Sequence, residues 1–378
     1  MNKQKQIKPG STIGLLGGGQ LGRMITLAGR AMGYRFVVLD PTEDSPCGQV
    51  SDQQIVAGYN DHLAARKLAQ LSDVITYEFE NVDAGVAAIL EEEAFVPQGS
   101  KLLGITQHRV KEKTTIQGYG LPVAPFRTVA SAEDVREAVA ELGLPAVMKT
   151  ASGGYDGKGQ WVLRSLEEVE EAFACLAKAN TELIVEKFVP FTKELSVIVA
   201  RNLSGEVAVF PPAENIHRDN ILHQSIVPAR IDIKIQQQAE QIAIELAEKL
   251  EMVGLLAVEM FLTKEGGLYI NEMAPRPHNS GHYTMDACLT SQFEQHIRAI
   301  SNLPLGSTKL LSPVVMVNIL GEHVAPLLKI IDQLPKKAKL HLYGKQEAKE
   351  KRKMGHINLV AESVDVALQQ AEKLGIWS

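Results

Sequence analysis

Cysteine is scarce. The 378 residues hold three, Cys47, Cys175 and Cys288, set far apart, so neither a disulfide framework nor a thiolate zinc site can be read from them. Long apolar runs are missing too. Stretches such as 314–320 are of strand length, well short of the ~20 residues that a membrane span needs. The start of the chain, Met1 to Pro9, is polar and lysine-rich and lacks the apolar core of a secretory signal. There is no basic excess: 39 Lys and Arg face 45 Asp and Glu, for a net charge of −6. A general nucleic-acid or membrane-surface binder is therefore not expected, and any anionic ligand must be met by local cations. Repeats and low-complexity tracts are absent as well. What is present is 45% hydrophobic and 22% charged, a globular composition that excludes bulk disorder. At ~150 residues per domain the length predicts two or three domains, and the whole reads as a soluble cytoplasmic protein.

The first hundred residues alternate strand and helix patterns. Apolar strands are expected at 11–17 and 35–39, with weaker ones near 54–57, 74–76 and 95–97, and a helix over 20–32 carries Leu21, Met24, Ile25 and Ala28 on one face. This rhythm predicts a parallel, doubly wound sheet. After about residue 110 the pattern changes. Ser131 and Asp134 open a helix as a variant capping box, and strands at 146–150, 160–163 and 182–188 with a helix at 166–178 make a compact α+β module. From about 190 the strands lengthen, at 194–201 and 206–211 around a turn at 202–205. A long amphipathic helix (234–252), a strand pair (255–272), more strands after 312 and a last helix near 364–374 follow. The expected domains are 1–110, 111–190 and 191–378.

Gly17-Gly18-Gly19-Gln20-Leu21-Gly22 fits G-x-G-x-x-G between a strand and a helix, and Asp40 ends the next strand. By the letter this is a dinucleotide fingerprint. Physically it is less specific, because glycines and a helix N-terminus suit a pyrophosphate, a sugar phosphate or a purely structural turn. Glu78 and Glu80, at i and i+2, lie where a parallel strand should end, a costly place for acids unless they are solvated or used. Lys149 closes a strand ahead of Gly153-Gly154-Tyr155-Asp156-Gly157-Lys158-Gly159. No Ser or Thr follows the Gly-Lys pair and strands flank the segment, so it is no Walker A loop. Four glycines in these seven residues suggest a mobile hairpin that could fold over phosphates with Lys158 as its charge.

Hairpin arithmetic singles out Glu259 and Glu272. If residues 264–267 form the loop, Thr263 pairs with Leu268, Phe261 with Ile270, and Glu259 faces Glu272. Like charges so opposed, with Cβ atoms ~5 Å apart, are destabilising. They call for a cation, and Mg²⁺ is typically held by one or two carboxylates plus substrate phosphates. Asn271 and Glu272 are adjacent and so are expected on opposite faces unless the strand twists there. The segment from Met273 to His282 carries two prolines, Pro275 and Pro277, which exclude a helix and hold Arg276, His278 and Asn279 extended beside the metal. Near the C-terminus Lys345, Lys349, Lys351, Arg352 and Lys353 form a basic cluster, either an anion site or a solvated face.

Taken together, these motifs resemble the ATP-grasp superfamily. Gly17–Met24, Tyr77–Asn81, Gly153–Gln160, Asn271–His282 and Lys353–His356 resemble, in order and over nearly the whole chain, the N5-carboxyaminoimidazole ribonucleotide synthetase family. The resemblance implies an α/β and α+β ATP-grasp fold: a Rossmann-like parallel-sheet domain, a small lid domain and a C-terminal mixed-sheet domain. It implies ATP, Mg²⁺ (Mn²⁺ as an alternative) and bicarbonate as co-substrate, a homodimer, and a product passed to a mutase. It further implies that ATP meets Arg109, Lys149, the loop of Gly154, Tyr155, Asp156, Gly157, Lys158, Gly159 and Gln160, then Glu186, Lys187, Phe188 and Val189 at adenine, Glu194 at ribose, and His217 and Asn271 nearby. Glu259 and Glu272 would hold Mg²⁺, and Arg276, His278 and Asn279 bicarbonate. The aminoimidazole ribonucleotide would meet Gln20, Leu21, Glu78 and Asp156, with Lys345 and Arg352 at its phosphate. Tyr155, Asp156, Lys158 and Lys345 would share in catalysis. Where many relatives read Arg-Pro-Gly-Arg, this chain has Lys349-Glu350-Lys351-Arg352. Competing readings are another ATP-grasp ligase such as a formate-using transformylase, an NAD oxidoreductase resting on Gly17–Gly22, and a non-catalytic nucleotide sensor.

Overall fold

The computed structural model describes residues 5–153, 158–177 and 181–377. Its strands fall into three sheets. The first holds β1 (Thr12–Leu16), β2 (Arg35–Asp40), β3 (Gln53–Val56) and β4 (Val74–Tyr77), ordered β3-β2-β1-β4 with every pairing parallel. Helix Gln20–Ala31 packs on one face through Leu21, Met24 and Ile25, while helices His62–Gln70 and Ala84–Glu93 cover the other. This is the doubly wound arrangement that the alternating pattern predicts. The strand expected at 95–97 does not form. Only the Phe95 carbonyl joins the sheet, accepting from Ile75 N–H at 2.9 Å, and Gly99, at φ 67°, then turns the chain back. Pro97 has no N–H to give a ladder.

The second sheet is small and antiparallel: β5 (Phe126–Val129), β6 (Ala146–Thr150), β7 (Gln160–Leu163) and β8 (Leu183–Lys187), ordered β5-β8-β6-β7. Helices Ala132–Leu142 and Val169–Leu176 close its own core around Val135, Met148 and Leu163. The capping box forms as read. Ser131 Oγ accepts from Asp134 N–H at 3.1 Å, and the Asp134 carboxylate accepts from Ser131 N–H at 3.0 Å. β6 and β7 are the arms of the glycine-rich hairpin, with Lys149 opposite Gln160. Gly154, Tyr155, Asp156 and Gly157 lie outside the described residues.

The third sheet has nine strands: β9 (Phe191–Arg201), β10 (Val207–Val209), β11 (Ala213–Arg218), β12 (Ile221–Val227), β13 (Gly254–Thr263), β14 (Leu268–Ala274), β15 (Val314–Leu320), β16 (Ala338–Leu342) and β17 (Lys353–Val360). The order is β14-β13-β9-β11-β12-β15-β17-β16, with β10 on β9. All pairings among these described strands are antiparallel, which corrects the expectation of a mixed sheet. Helix Ile233–Lys249 buries Ile242, Ala243 and Leu246 against one face of β9 and β13.

The β13–β14 hairpin decides the geometry of the site. Its turn is one residue out from the expected register: Leu262, not Thr263, pairs with Leu268, and Phe261 faces Tyr269 instead of Ile270. A β-bulge then intervenes. Met260 pairs with Ile270 and Glu259 with Glu272, leaving Asn271 as the extra residue. The two offsets cancel, so the carboxylates oppose each other as the arithmetic foresaw. Ile270 and Met273 both enter the core under helix Ile233–Lys249. Those positions are three apart, so the two residues between them, Asn271 and Glu272, share the opposite face. Alternation along β13 puts Glu259 there as well, since Val258 and Met260 face the same core.

The capping box carries a stability prediction. Ser131→Ala should cost about 1 kcal/mol in the helix it starts. Hydrogen exchange of amides 132–142 should speed up while the parallel sheet keeps its protection, and unchanged exchange there would show that the cap contributes nothing.

Candidate active site

Glu259, Asn271 and Glu272 present oxygen donors on one face of the bulged hairpin. Asn271 Oδ1 is buried and has no hydrogen-bond partner, an acceptor awaiting a ligand. Burial, then the neighbouring Glu272 charge, pushes the Glu259 carboxyl well above its ordinary value. Arg109 Nη2 lies 3.8 Å from Glu272, and His278 Nε2 lies 3.4 Å from Glu259. Burial, then the Arg276 charge, holds the His278 imidazole neutral, so it offsets little of the negative charge. No group of three or more His, Cys, Asp or Glu is arranged to hold a metal ion by itself among the described residues. A hard, all-oxygen set of two carboxylates and one amide fits Mg²⁺ completed by phosphate oxygens and water.

Helix Arg109–Gly118 braces this hairpin from below, a feature that sequence reasoning missed. Glu112 accepts the Met273 N–H at 2.6 Å, and Lys113 Nζ stands 3.4 Å from the Asn271 carbonyl. Burial, then Glu272, pushes the Glu112 carboxyl up to about 8. Lys113 also pairs with Glu186 at 3.2 Å, and Lys149 reaches the same Oε2 at 3.0 Å. Burial alone would raise the Glu186 carboxyl, but Lys149 and Lys113 outweigh it and bring it down to about 2. Glu186 Oε1 remains buried without a partner, an acceptor at the seat that the resemblance gives to adenine. The N–H groups of Lys187 and Phe188 are taken by the Pro125 and Pro145 carbonyls, at 2.8 and 3.2 Å. At the other end of the site His217 Nδ1 lies 3.2 Å from Glu194. Burial pulls the His217 pKa down, but the hydrogen bond and charge of Glu194 outweigh it, and the net shift is upward. Lys158 is exposed at the foot of β7.

Both acids after β4 are used. Glu78 accepts the Gly19 N–H on one oxygen and the Gly22 N–H on the other at 2.7 Å. Asp40 accepts the Gly18 N–H at 2.7 Å and the Tyr59 hydroxyl. The chain's own carboxylates thus fill the anion-binding N–H groups where a dinucleotide pyrophosphate would lie, and Asp40, the residue that would hold a ribose, is committed to Gly18, Thr42 and Tyr59. The oxidoreductase reading falls on that geometry. A Cβ at Gly19 would stand 2.5 Å from Glu78 Oε1, so the close approach requires glycine there. Glu80 takes the Arg276 guanidinium in a two-pronged pair, Nε to one oxygen and Nη2 to the other, the latter at 3.0 Å. Arg276 therefore arrives oriented, with part of its fork already committed.

Other expected contacts are redistributed. Leu21 sends its side chain into the core beside Ile25 and Phe36, so only its backbone can reach a ligand. The Asn279 amide pairs reciprocally with Asn318, at 3.0 and 2.7 Å, leaving one hydrogen and one lone pair for anything else. Lys345 Nζ donates to the Lys353 carbonyl at 2.7 Å, and burial, then Arg352, lowers its pKa to about 8. Arg352 is exposed, with Nη1 on the Glu347 carbonyl at 3.0 Å. Gln49 joins this basic segment to the glycine loop: its amide nitrogen donates to the Gly344 carbonyl at 2.9 Å, and its oxygen accepts from Arg23 at 2.9 Å. Gln20 opens helix Gln20–Ala31, three residues before Arg23. A cleft of about 460 Å³ lined by Tyr59, Asn81, Gln107 and Gly153 opens between the parallel sheet and the glycine-rich hairpin. No helix among the described residues is long and apolar enough to cross a membrane.

Glu272→Gln tests the metal assignment. The apo melting temperature should hold or rise, because like-charge repulsion is relieved. The added stability from Mg²⁺ and ATP should shrink, and turnover should be lost. Normal activity at low Mg²⁺ would remove Glu272 from the metal site.

Comparison with known proteins agrees with this fold. Residues 10–107 match the ribonucleotide synthetase preATP-grasp domain, 114–293 the ATP-grasp domain, and 314–370 the phosphoribosylaminoimidazole carboxylase C-terminal domain. The last two divide a region that is one continuous sheet here. The N5-carboxyaminoimidazole ribonucleotide synthase of Bacillus subtilis is 54% identical over 98% of this chain and 96% of its own, and that of Brucella melitensis 47% identical over 94% and 97%. Among solved structures, an ADP complex of an N5-carboxyaminoimidazole ribonucleotide synthetase superposes with a TM-score of 0.96 at 59% identity, covering 99% of this chain and 98% of that one. The Aspergillus clavatus synthase in complex with ADP and 5-aminoimidazole ribonucleotide superposes with a TM-score of 0.89 at 32% identity, covering 96% and 97%. The chain belongs to the N5-carboxyaminoimidazole ribonucleotide synthase family of ATP-grasp ligases.

Proposed function

We propose that this protein carboxylates 5-aminoimidazole ribonucleotide on its exocyclic amine, consuming ATP and bicarbonate and releasing ADP and phosphate. The observation that carries the reading is the oxygen face of Glu259, Asn271 and Glu272, set beside the oriented Arg276 and the neutral His278. Bicarbonate is a poor electrophile, and phosphorylation by the γ-phosphoryl group of ATP turns it into carboxyphosphate. Its oxygen attacks phosphorus and ADP leaves. Carboxyphosphate then breaks to CO₂ and phosphate, and the substrate amine attacks carbon and loses a proton to give the carbamate.

In this reading the unpartnered Glu186 oxygen and the backbone of Lys187, Phe188 and Val189 take adenine, and Glu194 with His217 takes ribose. Arg109 and Lys158, with the loop from Gly154 to Gln160, face the phosphates, and Lys149 acts through Glu186. Glu259, Glu272 and Asn271 would hold Mg²⁺, which would supply positive charge to the transferring phosphoryl group. Arg276 and His278 hold the carboxy oxygens by charge-assisted and neutral hydrogen bonds, with Asn279 giving its one uncommitted hydrogen. Tyr155 and Asp156, which lie outside the described residues, share in catalysis as the resemblance implies. The ribonucleotide lies between Gln20 and Glu78 on one side and Lys345 and Arg352 on the other, the two sides that Gln49 ties together. A homodimer, the cytoplasm as the place of work, and a mutase receiving the labile carbamate belong to the same proposal.

ADP formation measured with ATP, Mg²⁺, bicarbonate and the ribonucleotide, omitting each in turn, tests it. Turnover that persists without bicarbonate, or that runs on formate instead, overturns it. The clamp has its own test. Arg352→Ala should weaken ribonucleotide use roughly 10- to 150-fold, the worth of a charge-assisted contact of ~1.5–3 kcal/mol. Arg352→Lys should recover part of this, because the planar fork is lost. The KM for ATP should stay unchanged, and a rise there instead would move Arg352 to the nucleotide. Lys345 carries its charge below its pKa and loses it above. kcat/KM for the ribonucleotide should therefore fall as pH rises through about 8, and Lys345→Arg should flatten that limb.

A further inference from the structure

Four polar side chains behind the site have no part in the reading above. Ser225 of β12 donates to Asn215 Oδ1 of β11 at 2.8 Å, and Asn215 Nδ2 donates to Ser196 Oγ of β9 at 2.9 Å. Ser196 donates to Ser280 Oγ at 2.7 Å, and Ser280 Oγ lies 2.9 Å from His278 Nδ1. Each of the four is at most 4% exposed. Asn215 sits opposite Ser225 and Ser196 opposite Glu259, so the row crosses three strands, β12, β11 and β9, on the face that carries the site. Further along β9 the same face is apolar, with Ile198 and Ala200 in the core. Apolar residues would serve that face for stability, whereas a buried polar row is costly unless every group is paired.

We propose that Ser225, Asn215, Ser196 and Ser280 form a positioning relay that fixes the ring of His278 and keeps its hydrogen on Nε2, turned toward Glu259 and the bicarbonate seat. The row has one direction. Asn215 Nδ2 supplies the hydrogen to Ser196, so the Ser196 hydroxyl points to Ser280 and the Ser280 hydroxyl to Nδ1. A ring nitrogen that accepts carries no hydrogen, which leaves it on Nε2. Nε2 lies on the far side of the ring, 3.4 Å from Glu259. The identity of the acid held at Nε2 rests on the proposed function, but the ring's tautomer does not.

The test is the apo protein with ¹⁵N-labelled histidine, its His278 signals assigned by their loss in His278→Gln. Long-range proton–nitrogen spectra should show the Nε2–H form. Ser196→Ala, which touches neither His278 nor substrate, should shift those signals toward a mixture of tautomers. It should also lower kcat/KM for bicarbonate roughly 10-fold, as loss of an orienting partner does, with the KM for ATP unmoved. Ser196→Thr keeps the hydroxyl and should restore both, and Ser225→Ala at the far end should act in the same direction more weakly. An Nδ1–H form in the parent protein, or a Ser196→Ala spectrum identical to it, overturns the relay. A tautomer shift with unchanged bicarbonate kinetics upholds the relay and overturns the placement of bicarbonate at His278.

Discussion

Two carboxylates held side by side in a partly dry site set the terms for the rest of this molecule. Charges ~5 Å apart at an effective dielectric of ~20 repel by ~3 kcal/mol, a large part of a domain's stability. Elsewhere the chain answers each buried acid itself: Glu186 with two lysines, Glu80 with Arg276, and Glu78 with two N–H groups. At Glu259 and Glu272 the answer is weak, an arginine at 3.8 Å and a neutral imidazole at 3.4 Å. The residual negative potential, together with an amide oxygen without a partner, would favour the divalent cation of the proposed function. The upward push on the Glu259 and Glu112 carboxyls has the same origin, since burial and the Glu272 charge both favour a proton where a metal would otherwise sit.

The bulge makes this arrangement compatible with a folded hairpin. Without Asn271, β14 would offer one acceptor opposite Glu259. With it, two successive residues share the site face while Ile270 and Met273 stay in the core. The unpaired edge of β14 is covered at the same time. Ile270 N–H goes to the Pro122 carbonyl at 2.8 Å and Met273 N–H to Glu112. Helix Arg109–Gly118 thus pins the strand at the point where its register changes, and through Lys113 it joins the metal face to the Glu186 seat. Contributions from three sheets meet here, so each site residue depends on the packing of elements distant from it in sequence.

Much of this was legible in the sequence, for reasons specific to each part. Apolar patterning marks the parallel sheet and the long helix, and the Ser131–Asp134 spacing marks the capping box, because each signal is local in sequence. The Glu259–Glu272 opposition was reached through a register one residue out, and a bulge restored it. A bulge leaves little trace in sequence because it preserves the hydrophobic alternation on either side of itself. Glu78 and Glu80 were recognisable as costly acids, but their partners, 56 to 59 and 196 residues away, were not. Glu112 and Lys113 look like an ordinary charged helix turn, and only the packed structure shows that both are buried. The Ser225, Asn215, Ser196 and Ser280 row gives no signal at all, since single small polar residues in strands are common.

The distribution of cations explains how an acidic protein can take three anionic ligands. Lys113 and Lys149 are committed to Glu186, and Arg276 is forked on Glu80. They shape the site more than they lend it charge. In the proposed function the phosphates are met by Arg109 and, at the rims, by Lys158 at the glycine-rich hairpin and by Lys345 with Arg352 across from the glycine loop. Over a Debye length of ~8 Å at physiological salt the rest of the molecule's charge is largely screened, so a net charge of −6 does not keep phosphates out. It does prevent them from binding just anywhere. The two rims are far apart in sequence and belong to different sheets, so in the proposed function a triphosphate and a monophosphate would each find their own cations.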